Sequence, residues 1–346
     1  MMTITCVRDA RDEADWQQFV ESHQEANQYH VLAWGNLIHR VFGHVIYYLM
    51  ARDQEGSVRG VLPLVYMKSP LFGRFLTSMP FLNYGGVLWE SADARDALLN
   101  AAAEVAGGLE ATHIELRQTA PLEIGWPVRS HKVSMRLELP LRYEDLLKTF
   151  PSKLRSQLRR GEKEGMITRI GGVDLLDEFY QVFALNWRDL GTPVYEKRWF
   201  VEILSAFPKD VRICIVSLQG KPLAAGFVHG FRGTLEILWA PFDRRYARMA
   251  PNMMLYGSVL KYACEQGYQT FDFGRSSKDS GAYRFKEQWG ARPVQLHWYY
   301  WLQSGKQLPE VSPQNPKYRL AVEMWKQLPV AVTRYIGPRV AKYLPL

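Results

Sequence analysis

The densest run of polar chemistry lies between Phe271 and Gly290: Phe-Asp-Phe-Gly-Arg-Ser-Ser-Lys-Asp-Ser-Gly-Ala-Tyr-Arg-Phe-Lys-Glu-Gln-Trp-Gly. Phe271 and Phe273 alternate with Asp272, so a strand here sends two rings to one side and the carboxylate to the other. Arg275, Ser276, Ser277, Lys278 and Asp279 read as a loop at the end of that strand, where binding groups gather in α/β folds. Tyr283, Lys286 and Gly290 then fall near one helical face, with Trp289 close by. A lysine in this place suits an oxyanion or a phosphate, or acts as a base if desolvated. Asp272 suits orienting an amine or accepting its proton, with Tyr283 as a further group to position it. The same residues also fit a salt-bridged strand end with solvated charges.

Three other clusters carry chemistry. Arg155 and Arg159 stand four apart on a predicted helix, beside Lys153 and Arg160, and two guanidiniums on one face suit phosphate. Glu162 and Glu164 follow, which also fits an exposed charged helix. Asn83-Tyr84-Gly85-Gly86 lets backbone approach a ligand closely, or forms a plain turn. Asp243 to Asn252 is arginine-rich and ends on Pro251 and Asn252, which suit the first turn of a helix and its cap. No GxSxG, P-loop, GxGxxG or HExxH motif occurs, and the eight histidines are scattered. The chain gives no sign of a metal or redox cofactor.

The elements that position these clusters repeat. Helical spacing predicts helices over 12–22, 31–41 and 92–109, with a strand hairpin at 45–52 and 58–67 and strands at 113–117 and 132–139. Segment 71–88 is β-rich. The second half predicts helices over 174–189, 197–207 and 251–266, a hairpin at 211–218 and 223–231, and strands at 234–240, 270–273 and 294–302. Each half thus reads helix, helix, three strands, helix, two strands, and tandem duplication explains this economically. The predicted fold class is α/β (α+β): two tandem domains, each a mixed sheet flanked by helices, plus a helical tail. The predicted boundaries are 1–140, a basic helical linker at 141–165, 166–308 and a basic tail at 309–346.

Length and composition agree. A chain of 346 residues suits two domains, and 47% hydrophobic with 23% charged residues suits packed cores. A net charge of +8 favours anionic partners. Three separated cysteines fit a reduced cytoplasmic setting. No apolar run approaches the ~18 residues of a membrane span. The tail after Pro309 interleaves Lys317, Arg319, Lys326, Arg334, Arg339 and Lys342 with aromatic residues. Helices packing back on the body are its first reading, and contact with a membrane surface or anionic polymer its second.

A hairpin feeding a third strand, then a helix and another strand, is the order of the GNAT acyltransferase core. The runs Phe-Asp-Phe-Gly-Arg-Ser (271–276) and Tyr-Arg-Phe-Lys-Glu-Gln-Trp-Gly (283–290) resemble the Fem superfamily of tandem-GNAT peptidyl and aminoacyl transferases. Within it they resemble the FemAB-like proteins associated with exosortase/PEP-CTERM systems and exopolysaccharide gene clusters. Phe-Gly-His (42–44), Gly-Val-Leu-Pro-Leu-Val (60–65), Tyr-Gly-Gly (84–86), Arg-Asp-Leu-Gly-Thr-Pro-Val (188–194), Pro-Asn-Met-Met-Leu-Tyr (251–256) and Asn-Pro-Lys (315–317) extend the resemblance along the chain. It implies transfer of an acyl or aminoacyl group to an amine of a cell-envelope or exopolysaccharide precursor. It also implies Lys286 near the reacting groups, and Arg155 and Arg159 against precursor phosphates; the expected location is cytoplasmic, with the inner face of the membrane as a second option. Arg275, Ser276, Tyr84, Asn252 and Trp289 are the remaining expected contacts to a glycan, lipid-linked or nucleotide-linked substrate.

The donor stays open among aminoacyl-tRNA, acyl-CoA and an acyl carrier protein. The long charged arm that several Fem enzymes carry, thought to help hold tRNA, is absent. The segment 243–252, where a CoA-using GNAT has a glycine-rich pyrophosphate loop, contains no glycine. A reading of another class is a non-catalytic adaptor that binds an anionic polymer or membrane through its tail.

Overall fold

The computed structural model describes residues 2–309 and 316–344. Asn315 of the Asn-Pro-Lys run lies outside the described residues. In chain order the elements are β1 (Thr3–Cys6), α1 (Ala10–Ser22), α2 (Leu32–Phe42), β2 (Val45–Arg52), β3 (Val58–Ser69), β4 (Gly73–Thr77), β5 (Leu88–Trp89), α3 (Ala92–Gly108), β6 (His113–Gln118) and β7 (Val128–Arg129). There follow β8 (Lys132–Glu138), α4 (Tyr143–Thr149), α5 (Ser152–Lys163), β9 (Ile167–Gly171), α6 (Leu176–Leu190), α7 (Lys197–Ala206), β10 (Val211–Leu218), β11 (Lys221–Phe231) and β12 (Thr234–Trp239). The chain ends with α8 (Pro251–Glu265), β13 (Thr270–Ser277), α9 (Gly281–Glu287), β14 (Arg292–Gln295), β15 (His297–Leu302), α10 (Pro316–Gln327) and α11 (Val330–Ala341).

These elements form two compact units. In the first, β2, β3 and β4 run antiparallel in series, and α3 carries the chain over to β6, which pairs parallel with β4. Leu98, Ala102 and Ala106 of α3 are buried against Leu62, Leu64, Ile114 and Leu116 of the sheet. Trp16, Phe19 and Val20 of α1 belong to a second cluster with Met50, Val61 and Leu88. Alternate residues of β3 therefore serve opposite faces of one sheet, as a strand buried on both sides must.

The second unit repeats the plan. β10, β11 and β12 are antiparallel in series, and α8 crosses over to β13, parallel with β12. Leu255, Val259 and Leu260 of α8 pack with Cys214, Ile237, Phe271 and Phe273. The aromatic wealth of the sequence fills a core: Phe179, Phe183 and Phe200 of α6 and α7 meet Phe227 and Trp239 of the sheet at ring separations of 5.0 to 6.4 Å. Burying each such side chain contributes about 1.5–3 kcal/mol.

The tandem α/β fold is as expected, but its strands are distributed differently from their order in the sequence. β8, the last strand of the first predicted segment, joins the second sheet beside β13. The predicted strand at 294–302 breaks at Leu296. β14 ends the second sheet, while β15 lies between β6 and β7 in the first. Each unit therefore takes its strand beside the parallel crossover from the other half of the sequence. Alternating apolar residues announce a strand but not the sheet edge it will join. The predicted linker is also part of a unit: Gly161 and Leu158 of α5 pack against Met254 and Gly257 of α8. The helices α10 and α11 pack on α6.

Candidate active site

The strand β13 is longer than its sequence suggests. Gly274 to Ser277, expected as loop, continue it. Gly274 has φ +75°, a left-handed conformation that favours glycine, and both of its polar backbone groups are held. Its N–H donates to Asp272 Oδ1 at 2.7 Å, and its carbonyl accepts from Lys286 Nζ at 2.8 Å. The turn signal of Gly-Arg-Ser-Ser is thus overridden by two side chains that clamp the backbone.

Asp272 is fully buried. Its Oδ1 also accepts from Ser134 Oγ at 2.5 Å, and Oδ2 accepts from Arg136 Nε at 3.2 Å. Both partners belong to β8, the strand taken from the first half of the sequence. The carboxylate therefore fastens β8 to β13 and is largely committed. Across the other edge, Glu236 of β12 stands in register with Asp272, and His229 of β11 in register with Glu236. All three are buried, forming a polar row in an otherwise apolar sheet. Burial pushes the His229 imidazole down to about 3, so it is neutral. The parallel pairing of β12 with β13 ends at Glu236 and Asp272, although both strands run on to Trp239 and Ser277.

Lys286 enters where that pairing stops. The helix α9 begins at Ser280, whose Oγ accepts from the N–H of Tyr283, and this cap fixes the first turn. One turn on, Lys286 points inward, 7% exposed, and donates to the carbonyls of Gly274 and Arg275 at 2.8 and 3.0 Å. Burial pushes its ammonium down to about 8, opposed by the Asp272 and Glu236 carboxylates and aided by the Arg275 charge. An ammonium has three protons, and two are used here. The third can meet a developing negative charge.

Ser276 is buried, and its hydroxyl has no hydrogen-bond partner among the described residues. Arg275 is half-buried beside it, and Tyr283 is half-buried against the α8 core. Asp272, Lys286, Tyr283, Arg275 and Ser276 are thus all supplied by β13 and α9. Trp289 lies in the core rather than at an open surface: 1% exposed, it meets Phe150, Tyr256 and Phe285 with ring centroids 5.5, 5.9 and 6.2 Å apart. Its packing holds α9, and so Lys286, against β13.

Asn252 sits in the first turn of α8 without capping it. The cap position is Ala250, in a left-handed conformation at φ +59°, with no side-chain hydrogen bond. Arg159 is exposed and Arg155 half-buried on α5, and among the described residues neither is paired with a carboxylate, whereas Arg160 reaches Glu164 at 3.6 Å. Tyr84 belongs to the first unit, buried edge-on to Tyr29 at 5.1 Å. Glu236, Ser134 and Arg136 were not singled out in the sequence. Only Glu236 leaves a local mark there, as a lone carboxylate in Leu-Glu-Ile-Leu-Trp (235–239).

A model of the acetyltransferase (GNAT) domain matches residues 149–287, a span that holds both Asp272 and Lys286. No curated protein sequence matches the chain at a significant level. Among solved structures, FemX superposes with a TM-score of 0.64 at 15% identity, over 92% of this chain and 100% of that one. The C-terminal domain (DUF2156) of a putative lysylphosphatidylglycerol synthetase from Agrobacterium fabrum gives 0.57 at 17% identity, over 86% and 92%. A tandem GNAT protein from the clavulanic acid biosynthesis pathway gives 0.55 at 11%, over 89% and 100%. At such identities the likeness is one of fold. The chain thus has the tandem GNAT-like fold, and the unit that carries the polar row and the buried lysine is the one with sequence similarity to the acetyltransferase (GNAT) domain.

Proposed function

We propose that the protein is an N-acyltransferase whose reaction takes place where β12 and β13 part, beside Lys286. The observation that carries this reading is the buried ammonium with two of its protons fixed on backbone carbonyls and a third available. In the proposed step, the acceptor amine attacks the donor's carbonyl carbon and a C–N bond forms. The carbonyl oxygen takes negative charge and receives the third Lys286 N–H. The amine's proton passes to a carboxylate, and collapse of the intermediate breaks the bond to the donor's leaving group. Glu236, in register with Asp272 at the end of the β12–β13 pairing, is the carboxylate assigned to accept the proton, while Asp272 holds Ser134, Arg136 and the Gly274 N–H. Ser276, Arg275 and Tyr283 position substrate, and Arg155 with Arg159 takes the phosphates of a lipid-linked or nucleotide-linked envelope or exopolysaccharide precursor.

Two donors fit. The Fem resemblance of the runs at 271–276 and 283–290 supports an aminoacyl donor, and the tandem fold is compatible with it. The α8 N-terminus, whose cap residue Ala250 makes no side-chain hydrogen bond to it, favours a donor that brings a phosphate, such as acyl-CoA. Melting temperature with and without saturating CoA or acetyl-CoA separates them. A ligand at 100 times its Kd adds about 2.7 kcal/mol, enough to move melting by a few degrees. A shift with CoA selects acyl-CoA, and a shift only with charged tRNA selects the aminoacyl donor. If neither shifts melting and Lys286→Ala leaves turnover unchanged in an assay with either donor, the acyl-transfer reading of this site is wrong.

A further inference from the structure

The last two helices are built inside out. α11 turns its small residues Thr333, Gly337 and Ala341 inward, each four positions from the next, where a Cβ on Gly337 would meet Val194 at 2.8 Å. Its larger apolar side chains, Val332, Tyr335 and Ile336, point to solvent, with Tyr335 70% exposed. α10 does the same. Val322 packs inward on Gly191, while Leu320 and Met324, one turn apart on the opposite side, are 70% and 64% exposed. A surface helix in water ordinarily carries polar residues outward and its large apolar ones inward. Two contacts tie this part of the chain to α6: Arg188 Nη1 donates to the Leu328 carbonyl at 3.1 Å, and Arg334 lies 5.2 Å over the Tyr180 ring.

Charge selects the occupant of this face. Residues 316–341 contain Lys317, Arg319, Lys326, Arg334 and Arg339 and a single acid, Glu323, which is paired with Lys326 at 2.7 Å. Arg339 stacks over Tyr335 at 4.2 Å, a cation on an aromatic ring at the exposed surface. Outward leucine, methionine, isoleucine and tyrosine flanked by arginines are what a helix lying in a lipid headgroup layer carries. A second copy of this face would bring like charges together. Among the described residues no helix is long and apolar enough to cross a membrane, so contact is at the surface.

We propose that α10 and α11 form a docking face for an anionic lipid bilayer, with Leu320, Met324, Tyr335 and Ile336 entering the headgroup layer and Arg319 and Arg339 pairing with lipid phosphates. The inference stands apart from the chemistry at Lys286. It is tested by co-sedimenting the full chain with vesicles of phosphatidylcholine alone and of phosphatidylcholine mixed with phosphatidylglycerol. Binding is expected to the mixed vesicles, weakening with salt. The paired substitutions Leu320→Gln with Met324→Gln, and Tyr335→Gln with Ile336→Gln, are each expected to weaken it at least about tenfold, with circular dichroism and melting unchanged. Equal binding to both vesicle types, or none to either, overturns the proposal using the wild-type chain alone. A dimer in sedimentation velocity that the same substitutions abolish would instead assign the face to a second copy.

Discussion

Glu236 and Asp272 stand at the same register position on two parallel strands, the last position at which β12 and β13 pair. Both are buried, and both carboxylates act on the Lys286 ammonium. The hydrogen bonds of Asp272 give it a structural role. Asp272 accepts from Ser134, Arg136 and Gly274, so its charge is spent on holding β8 to β13. Replacing it with Asn removes one oxygen from that set and breaks the ion pair with Arg136. The expected result is a loss of about 3–5 kcal/mol of stability, read from a denaturant midpoint. Glu236→Gln is expected to fold normally and to lower kcat by about 10²–10⁴, with KM little changed. If Asp272→Asn melts like the wild type and alone abolishes turnover, the two assignments are reversed.

The pH behaviour of Lys286 gives a signed test. Its folded pKa of about 8 lies below the ordinary 10.5. Between those values the unfolded chain holds the proton and the folded chain does not. Unfolding then takes up a proton, so rising pH favours the folded state across this window. Wild-type stability should therefore rise from pH 8 to 10.5 relative to Lys286→Met, and the difference should be flat below 8. Activity should move the opposite way. A cation donating to an oxyanion is lost above about pH 8, so kcat should fall there, and that limb should disappear in Lys286→Arg if the arginine is accommodated. A kcat that rises through pH 8 would make the lysine a base instead.

Much of this site was legible because β13 and α9 are neighbours in sequence. Phe271 and Phe273 mark a strand face, Asp272 its reverse, and Lys286 follows within one short helix. Glu236, Ser134 and Arg136 come from other strands, and only the sheet order brings them to Asp272. The exchange of β8 and β15 between sheets left no trace in the alternation of either strand. Trp289 illustrates a further limit. An indole in a polar motif reads as a ligand contact, but its ring surface is enclosed by Phe150, Tyr256 and Phe285 in the core. The order of helices and strands survived all of this, because it rests on periodicity over long segments.

The approach of α5 to α8 is a separate matter of sterics. A Cβ on Gly257 would lie 2.6 Å from Leu158 Cδ2. Gly257→Ala should therefore push α5 away or force Leu158 from its rotamer, costing about 1–3 kcal/mol in chemical denaturation. Leu158→Ala, which vacates that space, should recover part of the loss in the double variant. Additive losses would show that the two helices do not meet through this pair. Arg155 and Arg159 ride on α5, so Gly257→Ala should also weaken binding of a phosphate-bearing ligand if the arginine pair holds it.

Ser276 offers the sharpest separation of binding from folding. A buried hydroxyl without a partner costs stability rather than adding to it, by about 1–3 kcal/mol when the group is fully desolvated. Ser276→Ala removes that cost and leaves the strand unchanged. Melting temperature should hold or rise. If the hydroxyl is kept for a substrate's polar atom, the same substitution should raise KM by about tenfold, the value of one hydrogen bond. The two measurements need only one variant. A fall in melting temperature would mean that Ser276 bonds within the folded protein. An unchanged KM with melting held or raised would mean that its hydroxyl serves neither the fold nor the substrate, and the contact assigned to it at the end of β13 would then pass to Arg275.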